Sequence, residues 1–159
     1  MKRSDNSLAE DDCDKSKVLN DFFKSVFVQE DVENVPVMSD RSNGQTIDDL
    51  IIDQVQIFKI LENLNPVKSP GPDLLHPRVL REIKNAIVEP LTLIFKQSYN
   101  EGQVVKDWKT AHVKALFKKG SREEAANYRP ISLTCIPCKM MEKVVRDHIV
   151  NYMTSKMMF

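Results

Sequence analysis

The sequence predicts an α+β fold that is mainly helical and carries one antiparallel β-hairpin. Two observations carry this prediction. Apolar residues recur at helical spacing along most of the chain, and from Lys109 the period changes to two: Ala111, Val113, Ala115 and Phe117 alternate with His112, Lys114, Leu116 and Lys118. A second extended run, Asn127 to Leu133, follows a polar connection and supplies the partner strand, with Pro130 tolerable at a sheet edge or bulge. With 159 residues, 42% of them hydrophobic and 29% charged, the chain is long enough for one domain with a core.

In chain order, residues 1–17 are polar and charged and are expected to form a solvated or disordered arm. Residues 18–45 read as a helix and a linker. The helix carries Leu19, Phe22, Phe23, Val26 and Phe27 on one face, and Pro36 and the Ser39–Gln45 cluster around Asn43-Gly44 form the linker. A second helix is expected from Thr46 or Asp48, either of which can cap it, through Ile51, Val55, Phe58, Leu61 and Leu64 to a stop near Asn65-Pro66. Three prolines and a glycine between Lys68 and Pro77 enforce a stiff loop. A short helix follows over Arg78–Lys84. Ile87, Leu91, Ile94 and Phe95 continue as an amphipathic helix that Pro90 opens or kinks and Gly102 stops. Beyond the hairpin, Pro137 opens a last helix with Met140, Met141, Val144, Val145, His148, Ile149 and Tyr152 on its apolar side. Residues 154–159 form a ragged end.

Composition excludes several classes. Met1 is followed by Lys2, Arg3 and acidic residues, and no apolar run approaches the roughly 18 residues of a membrane span, so neither signal peptide nor membrane partner is expected. Three cysteines without a secretory signal argue against a disulfide framework and for a reducing, intracellular compartment, with nucleus and cytoplasm undistinguished. Net charge is zero but unevenly spread. Residues 1–60 hold 13 acidic and 7 basic residues, whereas residues 61–159 hold 10 and 16, so a polyanion would meet the second part.

Five motifs then stand in order: KSPGPDLLHPRVL, EPLTLIF, DWKTAHVKALFKKGS, NYRPISLT and CKMMEKVVRDHI. Together they resemble the amino-terminal third of the reverse transcriptase domain of jockey-like non-LTR (LINE-type) retrotransposons, and LNDFFKSVF resembles the segment just upstream. The resemblance implies an RNA-directed DNA polymerase shaped like a right hand, of which residues 46–153 would supply an incomplete domain, the fingers, with the palm missing. Its partners would be an RNA or DNA template-primer and a deoxynucleoside triphosphate.

Polymerisation needs two divalent metals held by carboxylates. In the family these carboxylates follow the YRPISL motif, and after Leu133 this chain has only Glu142 and Asp147. The expectation is a chain that is inactive alone, with no catalytic residue, metal site or cofactor of its own, whereas the full-length enzyme would use Mg2+. The acidic pairs Asp11-Asp12 and Asp48-Asp49 read as a charged arm and a helix N-cap.

Carried over by motif, Lys118 and Arg129 match the basic residues that contact the nucleotide triphosphate. An Arg fork can bind two phosphate oxygens and a Lys adds a mobile point charge. Lys114, Lys119 and Arg122 extend the positive strip toward template phosphates, with Lys119-Gly120 as the fingertip turn and Glu123 and Glu124 diluting the field. The bland alternative is a solvated hairpin face.

Gly71, Pro72 and Asp73 form the signature loop, where Gly permits positive φ. The chain departs from the family pattern at Leu74, where a glycine is usual, and at Val105 and Ala115, where prolines are usual. Cys135 and Cys138 make half a zinc site at most, His148 reads as a core or interface residue, and Trp108 as an anchor under the hairpin. Two further functions stay open: a domesticated, non-catalytic nucleic-acid-binding module, and a helical interaction protein that self-associates through exposed apolar faces.

Overall fold

The computed structural model describes residues 1–28 and 46–156. The elements in order are α1 (Asp12–Ser25), α2 (Gln54–Glu62), α3 (Pro77–Glu82), α4 (Lys84–Glu101), β1 (His112–Phe117), β2 (Tyr128–Leu133) and α5 (Ile136–Ser155). This mixed arrangement, helices with a two-stranded antiparallel sheet, agrees with the predicted α+β class. The chain divides into two compact units, Met1–Arg41 with Val113–Ser132, and Ser42–His112 with Leu133–Phe159. The predicted linker around Pro36 and Asn43-Gly44 lies outside the described residues, as do the last three positions of the predicted ragged end.

In the first unit, α1 begins at Asp12, earlier than its aromatic residues announce. The Asp11 carboxylate accepts from the Asp14 backbone N–H at 2.8 Å, and Asp12 and Asp14 complement the positive end of the helix. Phe23 is buried and Phe22 half-buried, but Phe27 lies beyond the helix end and is 78% exposed, so the expected aromatic face is two rings wide. Before α1 the chain turns back on itself through an antiparallel bridge between Lys2 and Leu8, with Arg3 paired to Asp14.

The second unit holds a core of Ile52, Ile57, Leu61, Leu80, Leu91, Phe95, Ile136, Met140 and Val144. Its α2 starts at Gln54, not at Thr46 or Asp48. Asp53 is the cap, accepting from Gln56 N–H at 2.8 Å. Residues 50–53 carry no helix, so the chain enters α2 extended and delivers Ile52 to the core, while Ile51 and Val55 are 79% and 63% exposed. The buried stripe therefore keeps Leu61 and Leu64 of the one expected, and takes Ile52 and Ile57 in place of Ile51 and Val55. Asp48 has a different role: its carbonyl lies 2.7 Å from His148 Nε2.

Pro77 opens α3, where His76 Nδ1 accepts from Arg78 N–H. Pro90 lies inside α4, which continues through it with the Ala86 carbonyl lacking its ladder partner. Gly102 ends α4 at φ 63°, its N–H reaching the Ser98 and Tyr99 carbonyls. Leu91 and Phe95 form the buried face, joined by Thr92, whose hydroxyl donates to the Val88 carbonyl at 2.6 Å; Ile94 is 43% exposed. Trp108, expected as an anchor under the hairpin, packs within its own unit. Its ring packs edge-on against Phe95, centroids 5.5 Å apart, so it belongs to the helical core.

The loop before α3 is shaped by two positions. Gly71 does not take positive φ, the reason expected for it. A Cβ there would lie 2.4 Å from Cys135 Cα, so glycine is needed because two backbones touch. The left-handed position is Leu74, at φ 56°, stabilised by the Leu74 N–H bond to the Gly71 carbonyl and the Leu75 N–H bond to the Asp73 carboxylate.

Candidate nucleotide and nucleic-acid contact on the hairpin

The hairpin's register follows from its ends. Both strands have six residues, the Lys118 N–H donates to the Asn127 carbonyl at 2.7 Å just beyond them, and the Phe117 and Tyr128 rings meet at 5.3 Å. Phe117 thus opposes Tyr128, Leu116 opposes Arg129, and Lys114 opposes Ile131. Alternation then sorts the side chains. Lys114, Leu116, Lys118, Arg129 and Ile131 share one face, and Ala115, Phe117, Tyr128 and Pro130 share the other.

Three of the predicted cations are brought together by this register. Lys114 and Lys118 are the two diagonal neighbours of Arg129, at about 7–8 Å between Cα atoms. All three are exposed, and none makes an ion pair among the described residues. Three exposed cations on one half-apolar face, without ion-pair partners among the described residues, form a local positive field of the kind that attracts phosphates. Arg129 offers the fork and the lysines offer point charges.

The other two cations are placed differently. Arg122 lays its guanidinium 4.6 Å from the centroid of the Phe117 ring, on the opposite face, and its carbonyl accepts from the Tyr128 hydroxyl at 3.1 Å. Lys119 lies in the turn beside Gly120, which has φ 88° and whose missing Cβ leaves room for the Asn127 amide. That amide donates to the Ser121 carbonyl at 2.9 Å and closes the turn. Of the acidic neighbours, Glu124 is paired with Lys2 at 3.2 Å, and the Glu123 carbonyl accepts from the Lys2 N–H.

Among the described residues no three His, Cys, Asp or Glu side chains converge as metal ligands. Burial pushes the Cys138 thiol up to about 12, helped by Glu142, whose carboxylate lies 3.4 Å from the sulfur; burial also raises Cys135. Both therefore carry their protons at neutral pH, which suits packing better than nucleophilic or ligand chemistry. Asp147 is held between Lys143 at 2.6 Å and Arg146 at 2.8 Å, whose hydrogen bonds keep its carboxyl below the usual range.

Four lysines that the sequence does not single out, Lys59, Lys68, Lys139 and Lys143, line one pocket of the helical unit. They are spread over three segments of chain, so no linear motif gathers them.

The chain is similar to RNA-directed DNA polymerases of non-LTR mobile elements, the class to which the five motifs point. The RNA-directed DNA polymerase from mobile element jockey of Drosophila melanogaster is 29% identical over 97 residues, 60% of this chain and 11% of that protein. The jockey polymerase of Drosophila funebris is 30% identical over 97 residues, with the same coverage. The probable RNA-directed DNA polymerase from transposon BS of Drosophila melanogaster is 28% identical over 102 residues, 64% of this chain and 11% of that protein. The chain thus matches about a tenth of the length of these curated relatives. No protein-family model matches it. No described helix is long and apolar enough to cross a membrane.

Proposed function

We infer that this chain is a piece of the RNA-directed DNA polymerase of a non-LTR retrotransposon, carrying part of the fingers and contacting template-primer and nucleotide phosphates without polymerising by itself. The observation that carries the reading is the shared face of Lys114, Lys118 and Arg129, exposed and without ion-pair partners among the described residues, in a chain similar to polymerases of this class. Lys118 and Arg129 are assigned to the nucleotide triphosphate. Lys114, Lys119 and Arg122 are assigned to the template strand, Lys119 from the turn and Arg122 from the far face.

Polymerisation by this chain would need a carboxylate pair for two metals. After Leu133 the carboxylates are Glu142, beside a protonated thiol, and Asp147, neutralised by two cations. Neither is poised to hold a metal. Mg2+ therefore belongs, in this reading, to the complete polymerase.

Two measurements on the purified chain test this. Primer extension on an RNA template with magnesium is expected to give no product, and incorporation would overturn the inactive reading. Fluorescence anisotropy with a labelled primer-template is expected to show salt-sensitive binding that weakens in Arg129→Ala and Lys118→Ala. Binding indifferent to both substitutions would remove the hairpin from the reading.

A second reading, self-association, has an observation of its own. The end of α4 and the outer side of α5 flank a cavity of about 790 Å³ whose wall includes Val104, Trp108, Met141, Val145 and Ile149. These side chains are partly open to solvent, and a second copy of the chain would cover them. Sedimentation over a range of concentrations would show a dimer that Ile149→Lys dissociates, or a monomer throughout, which ends this reading.

A further inference from the structure

The helical unit contains a second cationic feature, separate from the hairpin and built differently. Its pocket of about 370 Å³ falls within the roughly 300–1,000 Å³ of small-ligand sites. Ile60, Leu64, Pro77, Ile136 and Met140 supply apolar walls, and Lys59, Lys68, Lys139 and Lys143 also line it, their ammonium groups free to reach around its mouth. No carboxylate lines it. Lys139 and Lys143 stand one turn apart on α5, where like charges repel. Asp147 relieves this for Lys143, but Lys59, Lys68 and Lys139 have no ion-pair partner among the described residues.

Asn63 and Asn65 complete the lining, and each has one end of its amide engaged. Asn63 donates to the Lys59 carbonyl at 2.8 Å, and Asn65 accepts from the Val67 N–H at 3.0 Å. The opposite ends, the Asn63 oxygen and the Asn65 NH2, have no protein partner among the described residues. Apolar walls, two exposed amides and three lysines without an ion-pair partner among the described residues suit a ring flanked by phosphates. An unstacked nucleobase would lie against the half-exposed Ile60 and Leu64 side chains, with the amides at its edge and the lysines on the phosphates to either side. An acidic peptide would satisfy the charges but leave the amide ends and the ring-sized cavity unused.

We propose that this pocket holds one splayed-out base of a single-stranded nucleic acid, with Lys59, Lys68 and Lys139 on the adjoining phosphates. The proposal rests on the reading of the chain as a nucleic-acid-contacting piece of a polymerase, but on residues that reading does not use.

The test is anisotropy of the full chain with a short fluorescein-labelled oligouridylate, its abasic counterpart of equal length, and oligoglutamate. The combined variant Lys59→Gln, Lys68→Gln, Lys139→Gln is expected to bind the oligouridylate about tenfold more weakly at low salt, with a salt slope smaller by about 2, the value for three lost phosphate contacts on a single strand. The native chain is expected to prefer the oligouridylate to the abasic strand, and Leu64→Trp, which fills the pocket while leaving the lysines, is expected to erase that preference. Full affinity in the triple variant would overturn the proposal. So would equal affinity for the abasic strand, or oligoglutamate binding as tightly as RNA and lost with the same lysines. A companion variant, Lys118→Gln with Arg129→Gln, separates the two sites: loss of binding only there refutes the pocket and keeps the hairpin, and loss only in the pocket variant does the reverse.

Discussion

The guanidinium of Arg122 stacks 4.6 Å from the centroid of the Phe117 ring, on the hairpin face opposite to Arg129. Two arginines seven positions apart are thereby given different neighbours. Arg129 stands among lysines that have no ion-pair partner among the described residues, while Arg122 covers the Phe117 ring. Arg122→Ala is therefore expected to lower stability by about 0.5–1 kcal/mol, the range for an exposed cation–π pair. Arg129→Ala is expected to leave stability within about 0.5 kcal/mol and to weaken nucleic-acid binding instead. Urea titrations read beside anisotropy check both, and the opposite pattern would reverse the two assignments.

Leu74 holds a left-handed conformation at φ 56° with its side chain 74% exposed. A left-handed L-residue is strained by about 1–2 kcal/mol, and glycine carries a smaller entropic penalty of about 0.5–1 kcal/mol. Leu74→Gly is expected to stabilise the chain by about 0.5–1 kcal/mol, seen as a higher urea midpoint at unchanged slope. A lower midpoint would mean that Leu74 packs on something its exposure does not reveal.

Gly71→Ala is expected to do the opposite. The added methyl would meet Cys135 Cα at 2.4 Å and Cys135 N at 2.5 Å, both backbone atoms leading into α5. Overpacking of this kind costs about 1–3 kcal/mol. Hydrogen exchange should quicken at the start of α5 before it quickens elsewhere, and uniform protection would remove the contact.

Asp147 has a carboxyl depressed chiefly by its hydrogen bond to Lys143 and then by Arg146. A depressed carboxyl stabilises the fold above its unfolded value, near 3.9, and that contribution is lost as pH falls through the folded value. Because the pair is partly exposed, its worth is about 0.5 kcal/mol. Asp147→Asn is expected to remove that part of the acid sensitivity below about pH 4, visible as converging midpoints of wild type and variant in acid.

Cysteine reactivity provides a separate check on the helical core. Cys13 is exposed, whereas Cys135 and Cys138 are buried with raised thiol pKa values. One thiol is expected to react quickly with Ellman's reagent at neutral pH and two only on unfolding. The raised groups favour the folded state below the ordinary thiol range, and this contribution declines as pH rises above it toward about 12 for Cys138. Three fast thiols in the native chain would contradict the buried placement.

The sequence determined the elements whose signals are local. The change of period at Lys109 located the hairpin, Gly102 ended α4, Pro137 marked the opening turn of α5, and Leu91, Phe95, Met140 and Val144 were recognisable as core from their spacing. These depend on backbone geometry within a few residues, which amino-acid type controls directly. The same local order of motifs was enough to point to the polymerases with which the chain shares 26–30% identity.

Only the tertiary structure decided the rest. Asp53 rather than Asp48 caps α2 because the chain must arrive extended to bury Ile52. Gly71 is required by Cys135, Trp108 by Phe95, and the cations of the hairpin are divided by strand register. Four lysines from three segments reach one pocket. Each of these outcomes depends on which distant surface a residue meets, and burial against such a surface outweighs the small local preferences that a linear pattern records.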